Sequence, residues 1–182
     1  MMKRLLNPAA FILLGVVFCA ALVFFAGYTF SMELYSKDFT EGKKIPVRFT
    51  ALGEDLSPQL YWSGAPGNTK SFVLIMDDPD APGGTWVHWV VYDIPAGTKE
   101  LAMGVPKDPV LAGGAKQGRN SSGETGYNGP LPPPGPAHRY FFKLYALDTV
   151  LGLESGAEKD EVLDAMRGHI VDQAHVMGLF GR

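Results

Sequence analysis

The chain has 182 residues, enough for one domain with a short appendage. With 46% hydrophobic and 12% aromatic residues it can bury a core, which excludes a disordered chain, and a segment of about 150 residues needs no disulfide staple. The formal net charge of −3 and the absence of any basic run exclude sequence-independent nucleic-acid binding, which needs a basic face.

Residues 9–30 form 22 positions without a charge, the length that crosses a bilayer. Lys3 and Arg4 precede them and place that flank in the cytoplasm, so the rest of the chain is expected on the other side of the membrane. A retained signal anchor is the leading reading and a cleaved signal peptide the second. The run is long for a signal core and lacks a clean small-residue cleavage site. A lipoprotein anchored at Cys19 is third, because the bulky Phe18 precedes the cysteine. As the only cysteine, Cys19 forms no intramolecular disulfide. The division expected is therefore an anchor or signal over residues 1–31 and a single domain over 32–182.

From there the chain reads as β. Short strands are expected over residues 45–50 and 57–62, with a turn at 64–68. Residues 71–76 (SFVLIM) and 86–94 (WVHWVVYDI) are apolar runs of strand length, and 138–147 (HRYFFKLYAL) partly alternates. No helical pattern separates them, which excludes a βαβ sheet and favours an antiparallel sandwich. Between residues 101 and 137 the chain is rich in Gly, Pro, Asn and Ser, and GYNGPLPPPGPAHR holds too much proline for a helix or a central strand. So long a connection is expected to be an ordered functional loop. A C-terminal helix is expected from about Ser155, with Ser155 and Glu158 at capping-box spacing. Its apolar stripe is Val162, Leu163, Met166, Ile170, Ala174 and Met177. His169 and His175 would lie on it as structural or exposed groups.

The reactive groups concentrate in three places. Asp78 and Asp80, in DPDAP, stand two apart in extended chain and could project to one side. His88 lies ten residues later inside an apolar run, and His138-Arg139-Tyr140 opens the last long strand. Each has a plainer role too. One aspartate can cap loop amides, His88 can be structural, and Arg139 is expected to pair with an acid and hold loops together. Asn120-Ser121-Ser122 fits a glycosylation sequon.

DPDAP, then W-x-H-W, then YNGPLPPPGPAHRY appear in an order and spacing that resembles the phosphatidylethanolamine-binding protein family, in its bacterial and archaeal Raf-kinase-inhibitor-like branch. FTALGEDLSPQLYW resembles that branch's early segment, HRYFFKLYALD its strand after the loop and MRGHIVDQAHVMG its C-terminal helix. The resemblance covers residues 32–178. It implies a mainly β, Greek-key fold of two antiparallel sheets with peripheral helices, and a small metal-free pocket for phosphate-type groups. Carried over by position, the pocket residues are Asp78, Asp80, Trp86, His88, Tyr127, Pro132, Pro133, His138 and Tyr140. Leu131 stands where many bacterial relatives have cysteine.

The chemistry agrees. Histidine, tyrosine and loop amides donate to phosphate oxygens, and histidine titrates near neutrality, so anion affinity should depend on pH. A carboxylate could accept from an ammonium or orient a histidine, but two carboxylates beside a phosphate repel unless one is protonated or turned away. The expected function is a non-catalytic binding domain without cofactor or metal, for a small anionic ligand or a phospholipid head group. It would meet the membrane through its N-terminal segment and would not bind nucleic acid. The alternative is an interaction protein with a protein partner, since relatives are implicated in inhibiting kinases or proteases. Less favoured is a metal-dependent hydrolase, because no H-x-x-x-H, C-x-x-C or G-x-S-x-G spacing is present.

Overall fold

The computed structural model describes residues 31–182. The strands are β1 (Glu33–Ser36), β2 (Lys43–Lys44), β3 (Leu60–Ser63), β4 (Ser71–Asp78), β5 (Trp86–Pro95), β6 (Glu100–Leu101), β7 (Lys116–Gln117), β8 (His138–Leu147) and β9 (Ile170–Phe180). One α-helix, α1 (Lys159–Met166), precedes β9. A three-stranded sheet, β1-β3-β6, packs on a six-stranded sheet ordered β2-β9-β8-β4-β5-β7. The fold is mainly β with two sheets and one helix near the C-terminus. The membrane-spanning expectation for residues 9–30 falls outside the described residues. Among the described residues no helix is long and apolar enough to cross a membrane.

Strand β4 is buried at every position, because both faces of the large sheet are covered. Phe72, Leu74 and Met76 face the small sheet and pack with Trp62, Trp89 and Phe142. Val73 and Ile75 face the other way and pack with Val90, Tyr92, Val162 and Met166, the last two from α1. Full burial of such a side chain stabilises by about 1.5–3 kcal/mol, so the apolar run of β4 holds two layers at once. Its last two residues continue the alternation as acids. Asp77 points to the α1 side, where Lys143 and Lys159 reach it at 2.8 and 2.7 Å, and Asp78 points to the other.

Three expectations are corrected. Residues 45–50 are not a strand. Pro46 cannot donate to a ladder, Val47–Phe49 close a 3₁₀ turn, and the Thr50 hydroxyl donates back to the Val47 carbonyl at 2.7 Å. The helix is shorter than the stripe implies. It is capped by Glu158 and Glu161, not by Ser155, and it ends at Met166. Gly168, at φ +79°, turns the chain, and the residues after it pair with β8 from His138↔Phe180 to Leu147↔Ile170. Ile170, Ala174 and Met177 are thus strand residues, whose spacing also matched a helix. His175 lies exposed on β9, and His169 sits in the turn with Nδ1 2.8 Å from Asp148. Finally, the pairing is not wholly antiparallel, since the two residues of β2 run parallel to β9.

The connection from 101 to 137 is ordered by its own hydrogen bonds. Gln117 accepts from Trp89 Nε1 and donates to the carbonyls of Pro106 and Asp108. Asn120 is buried. Its amide donates to Gly126 and its oxygen accepts from the Ser122 and Glu124 amides. That is a structural role, and it leaves the sequon asparagine no free side chain for a glycan.

Candidate functional site

Asp77 of β4 pairs with Phe141 of β8, which brings Asp78 beside the start of β8 and its inward-facing Tyr140 and His138. Both oxygens of the Asp78 carboxylate accept a hydrogen bond. Its Oδ2 accepts from His138 Nδ1 at 2.8 Å and its Oδ1 from the Asp80 amide at 2.8 Å.

His88 arrives through a bulge. Met76 pairs with Trp89, but Asp77 pairs with Val87, so His88 is one residue too many on β5. Trp89 faces the inter-sheet core, and regular alternation would turn His88 away from it. The extra residue breaks that alternation, and His88 lines the same cleft as Asp78 and Tyr140. Its ring packs edge-on against Tyr140, with centroids 5.2 Å apart. His88 Nδ1 donates to the Asn128 carbonyl at 2.6 Å, while the Asn128 amide donates to the His88 carbonyl at 3.0 Å. The proline-rich loop is thereby fastened to the bulge. Next to it, the Gly129 amide donates to Asp55 at 2.6 Å, and a Cβ at Gly129 would meet backbone atoms of residues 49 and 50 at 2.8 Å. Only glycine allows that approach.

The resulting cleft encloses about 360 Å³. Asp78, His88, His138 and Tyr140 form its polar end, and Ala81, Pro82, Trp86, Leu131, Pro132 and Pro133 its apolar walls. Small-ligand sites commonly combine apolar walls with a few convergent polar groups. Two buried side-chain polar atoms lack a hydrogen-bond partner among the described residues: Trp62 Nε1 in the inter-sheet core and Tyr140 Oη on the cleft wall. The Tyr140 hydroxyl comes close to Asp78 without reaching hydrogen-bond geometry. Burial, then the Asp78 charge, raises its pKa and keeps it a phenol. Burial lowers the His88 pKa, against the pull of the Asn128 carbonyl and Asp78. A larger cleft of about 490 Å³ lies beside α1. There Asn120, Glu158 and Lys159 are already engaged by the loop, the helix cap and Asp77, while Arg119 lines the cleft with no salt bridge among the described residues.

The sequence model of a family described as phosphatidylethanolamine-binding protein matches residues 35–181. The chain belongs to the phosphatidylethanolamine-binding protein family. A UPF0098 protein of Methanothermobacter thermautotrophicus is 51% identical over 151 residues, covering 83% of this chain and 99% of that one. A second UPF0098 protein, from Aquifex aeolicus, is 52% identical and covers 83% and 89%. Among solved structures, the family homologue CT736 of Chlamydia trachomatis superposes with a TM-score of 0.78 at 40% identity, covering 84% of this chain and 99% of that one. YBCL of Escherichia coli, described as a new member of the mammalian PEBP family, gives 0.79 at 31% identity, with the same coverage.

Of the nine residues carried over from the phosphatidylethanolamine-binding family, seven line the cleft: Asp78, Trp86, His88, Pro132, Pro133, His138 and Tyr140. Asp80 and Tyr127 do not. The chain turns after Asp78, and Asp80 swings outward to Arg139, meeting its amide at 2.9 Å and its guanidinium at 2.7 and 2.9 Å. That fork lowers the Asp80 pKa to about 2. Arg139 therefore has the loop-holding role expected of it. Tyr127 is a core residue, packed edge-on against Trp89 and donating to the Phe49 carbonyl at 2.6 Å. Its apolar contact is with the core, not the cleft. Sequence reasoning missed Asn128 and Gly129. Both act through the backbone, and the Asn-Gly pair inside a proline-rich loop was the one available signal.

Proposed function

We propose that the domain is a non-catalytic binding module that holds an anionic phosphate-type group, free or as a phospholipid head group, at the polar end of this cleft. The observation that carries the reading is the convergence on one cleft of Tyr140, whose buried hydroxyl has no hydrogen-bond partner among the described residues, and of two histidines whose Nε2 atoms form no hydrogen bond there. A buried hydroxyl without a hydrogen bond costs about 1–3 kcal/mol, and an oxyanion bound there would satisfy it.

The carboxylates support the same reading. Asp78 is occupied by His138 and the turn amide, so it acts as an orienting group, and Asp80 is neutralised outside the cleft by Arg139. The repulsion expected of two acids beside a phosphate is thereby removed. With every Asp78 oxygen and both Nδ1 atoms engaged, the cleft offers no carboxylate pair to a metal. The exposed Trp86 and Leu131, at 41% and 51%, favour an occupant larger than free phosphate, such as a head group on a lipid or an anion carried by a protein partner. The charge-free run behind Lys3 and Arg4 supports attachment to a membrane with the domain facing away from the cytoplasm.

Calorimetric titration with phosphate and phosphoethanolamine tests the function. Saturable binding that weakens at least tenfold in Tyr140→Phe and His138→Ala is the expected result. Heat that is unchanged in both variants would remove the ligand from this cleft.

A further inference from the structure

Both cleft histidines are gripped by Nδ1, and both grips are groups that only accept. His88 Nδ1 faces the Asn128 carbonyl at 2.6 Å, and His138 Nδ1 faces the Asp78 carboxylate at 2.8 Å. Each Nδ1 therefore carries a proton, and in the neutral ring Nε2 is left with a lone pair. No hydrogen bond to either Nε2 is found among the described residues. The cleft thus presents two ring lone pairs to an incoming oxyanion, with Tyr140, Ser122 and Asn128 as the donor-bearing side chains nearest them in its lining. A dianion that can only accept meets two lone pairs unless a ring takes up a proton. An oxyanion that can itself carry a proton removes the conflict by sharing one with Nε2.

Resting on the reading of this cleft as an oxyanion site, we propose that it takes up a proton together with its oxyanion, and so selects, among the anions that reading admits, phosphate monoesters over sulfate and over the phosphodiester of a phospholipid head group, neither of which has a second ionisation near neutrality. A phosphate monoester has its second pKa near 6 and can hold the shared proton, whereas sulfate cannot. The proton comes from the buffer, and the bound pair of anion and imidazole, with the proton shared between oxygen and Nε2, carries one positive charge more than its separated parts. The surrounding charges favour this. Asp78 lies against the His138 ring and is the leading charge on His88, followed by Asp77 and by Asp55, which lies behind the Asn128–Gly129 loop and is paired with Lys107 at 2.8 Å. Asp80 is paired with Arg139, and Asp77, on the other face of the sheet, with Lys143 and Lys159. Arg182 is held outside the cleft, donating to the Pro132 carbonyl at 2.6 Å. Tyr140 stays a phenol throughout, and burial keeps His88 neutral until an anion arrives.

The test is calorimetry on the full chain in a maltoside detergent, at pH 7.5, in two buffers with different heats of ionisation. The probes are methyl phosphate and inorganic sulfate, both dianionic at that pH. The expected result is uptake of about one proton per methyl phosphate, an affinity that falls about tenfold per pH unit from 7.5 to 8.5 by linkage, and sulfate bound at least tenfold more weakly. Asp78→Asn keeps an acceptor for His138 Nδ1 but loses the charge, and should lower the proton count. Saturable binding with no buffer dependence, and with sulfate equal to methyl phosphate, would overturn the proton coupling while leaving the anion site intact. No saturable binding by either probe would remove both. An unchanged proton count in Asp78→Asn would show that the Asp78–His138 pair is not where the proton is held.

Discussion

At the scale of single residues, the site is built from groups left incomplete by the fold. Tyr140 is the sharpest case. If its hydroxyl exists for a ligand, Tyr140→Phe should leave the free domain as stable as before, or more stable by up to about 1–2 kcal/mol, because an unpartnered buried hydroxyl is removed. Denaturant unfolding with and without methyl phosphate separates the two effects: the variant should lose the stabilisation by ligand and keep the rest. His88 gives a second test through pH. Burial lowers its pKa below the ordinary 6.5, so the unfolded chain binds the proton first as pH falls. The contribution of a neutral His88 is full above about pH 6.5 and declines below it. Thermal unfolding from pH 8 to 5.5 should therefore fall more steeply in the wild type than in His88→Gln. Parallel curves would mean that the ring is not buried neutral. Asp80 runs the same way in a lower window. Its pKa is lowered to about 2 by Arg139, so its contribution is present above pH 4 and is lost only as the pH drops toward 2. Arg139→Ala should flatten that part of the profile.

At the scale of elements, much of the fold was legible because the apolar runs were long. β4, β5 and β8 were readable as strands, since about six to ten consecutive residues carried one signal. What failed was ambiguous at the level of spacing. Met166, Ile170, Ala174 and Met177 satisfy a helical stripe, yet β9 forms there because β8 offers it a full ladder and Gly168 permits the turn. The DPDAP turn hid the fate of Asp80 in the same way, since two extended residues predict a shared face and a tight turn reverses it. The bulge at His88 could not be seen either, because it depends on how β5 registers with β4. The motif residues nevertheless meet at one end of the sheet, where seven of nine line the cleft. Close packing between elements gives a further prediction. A Cβ at Gly178 would stand 2.4 Å from Ile45 Cγ1, so Gly178→Ala should force β9 and the 45–49 segment apart and cost about 1–3 kcal/mol by overpacking, read by denaturant unfolding. Gly135→Ala, which meets nothing within 4 Å, is the comparison for glycine replacement without a clash, though its φ of +152° adds some strain of its own.

At the scale of the whole molecule, the sheets hold a cleft whose polar end is fixed by three separate strands and whose wall is a loop tied down by backbone hydrogen bonds. That arrangement suits recognition of a small anion by a site that needs little rearrangement. The proposed placement of the domain outside the cytoplasm has its own test. A topology reporter fused after residue 182 should be active only outside the cytoplasm, and Lys3 and Arg4 exchanged for acidic residues should weaken that bias. A reporter active in the cytoplasm would contradict the orientation. The central claim, that the cleft holds a phosphate-type anion, is tested most directly by a crystal structure grown with methyl phosphate. The expected result is phosphate oxygens within hydrogen-bond distance of Tyr140 Oη and of the Nε2 atom of His88 or His138, with Asp80 still on Arg139. An empty cleft, or the anion bound instead at Arg119 or Lys143, would contradict it.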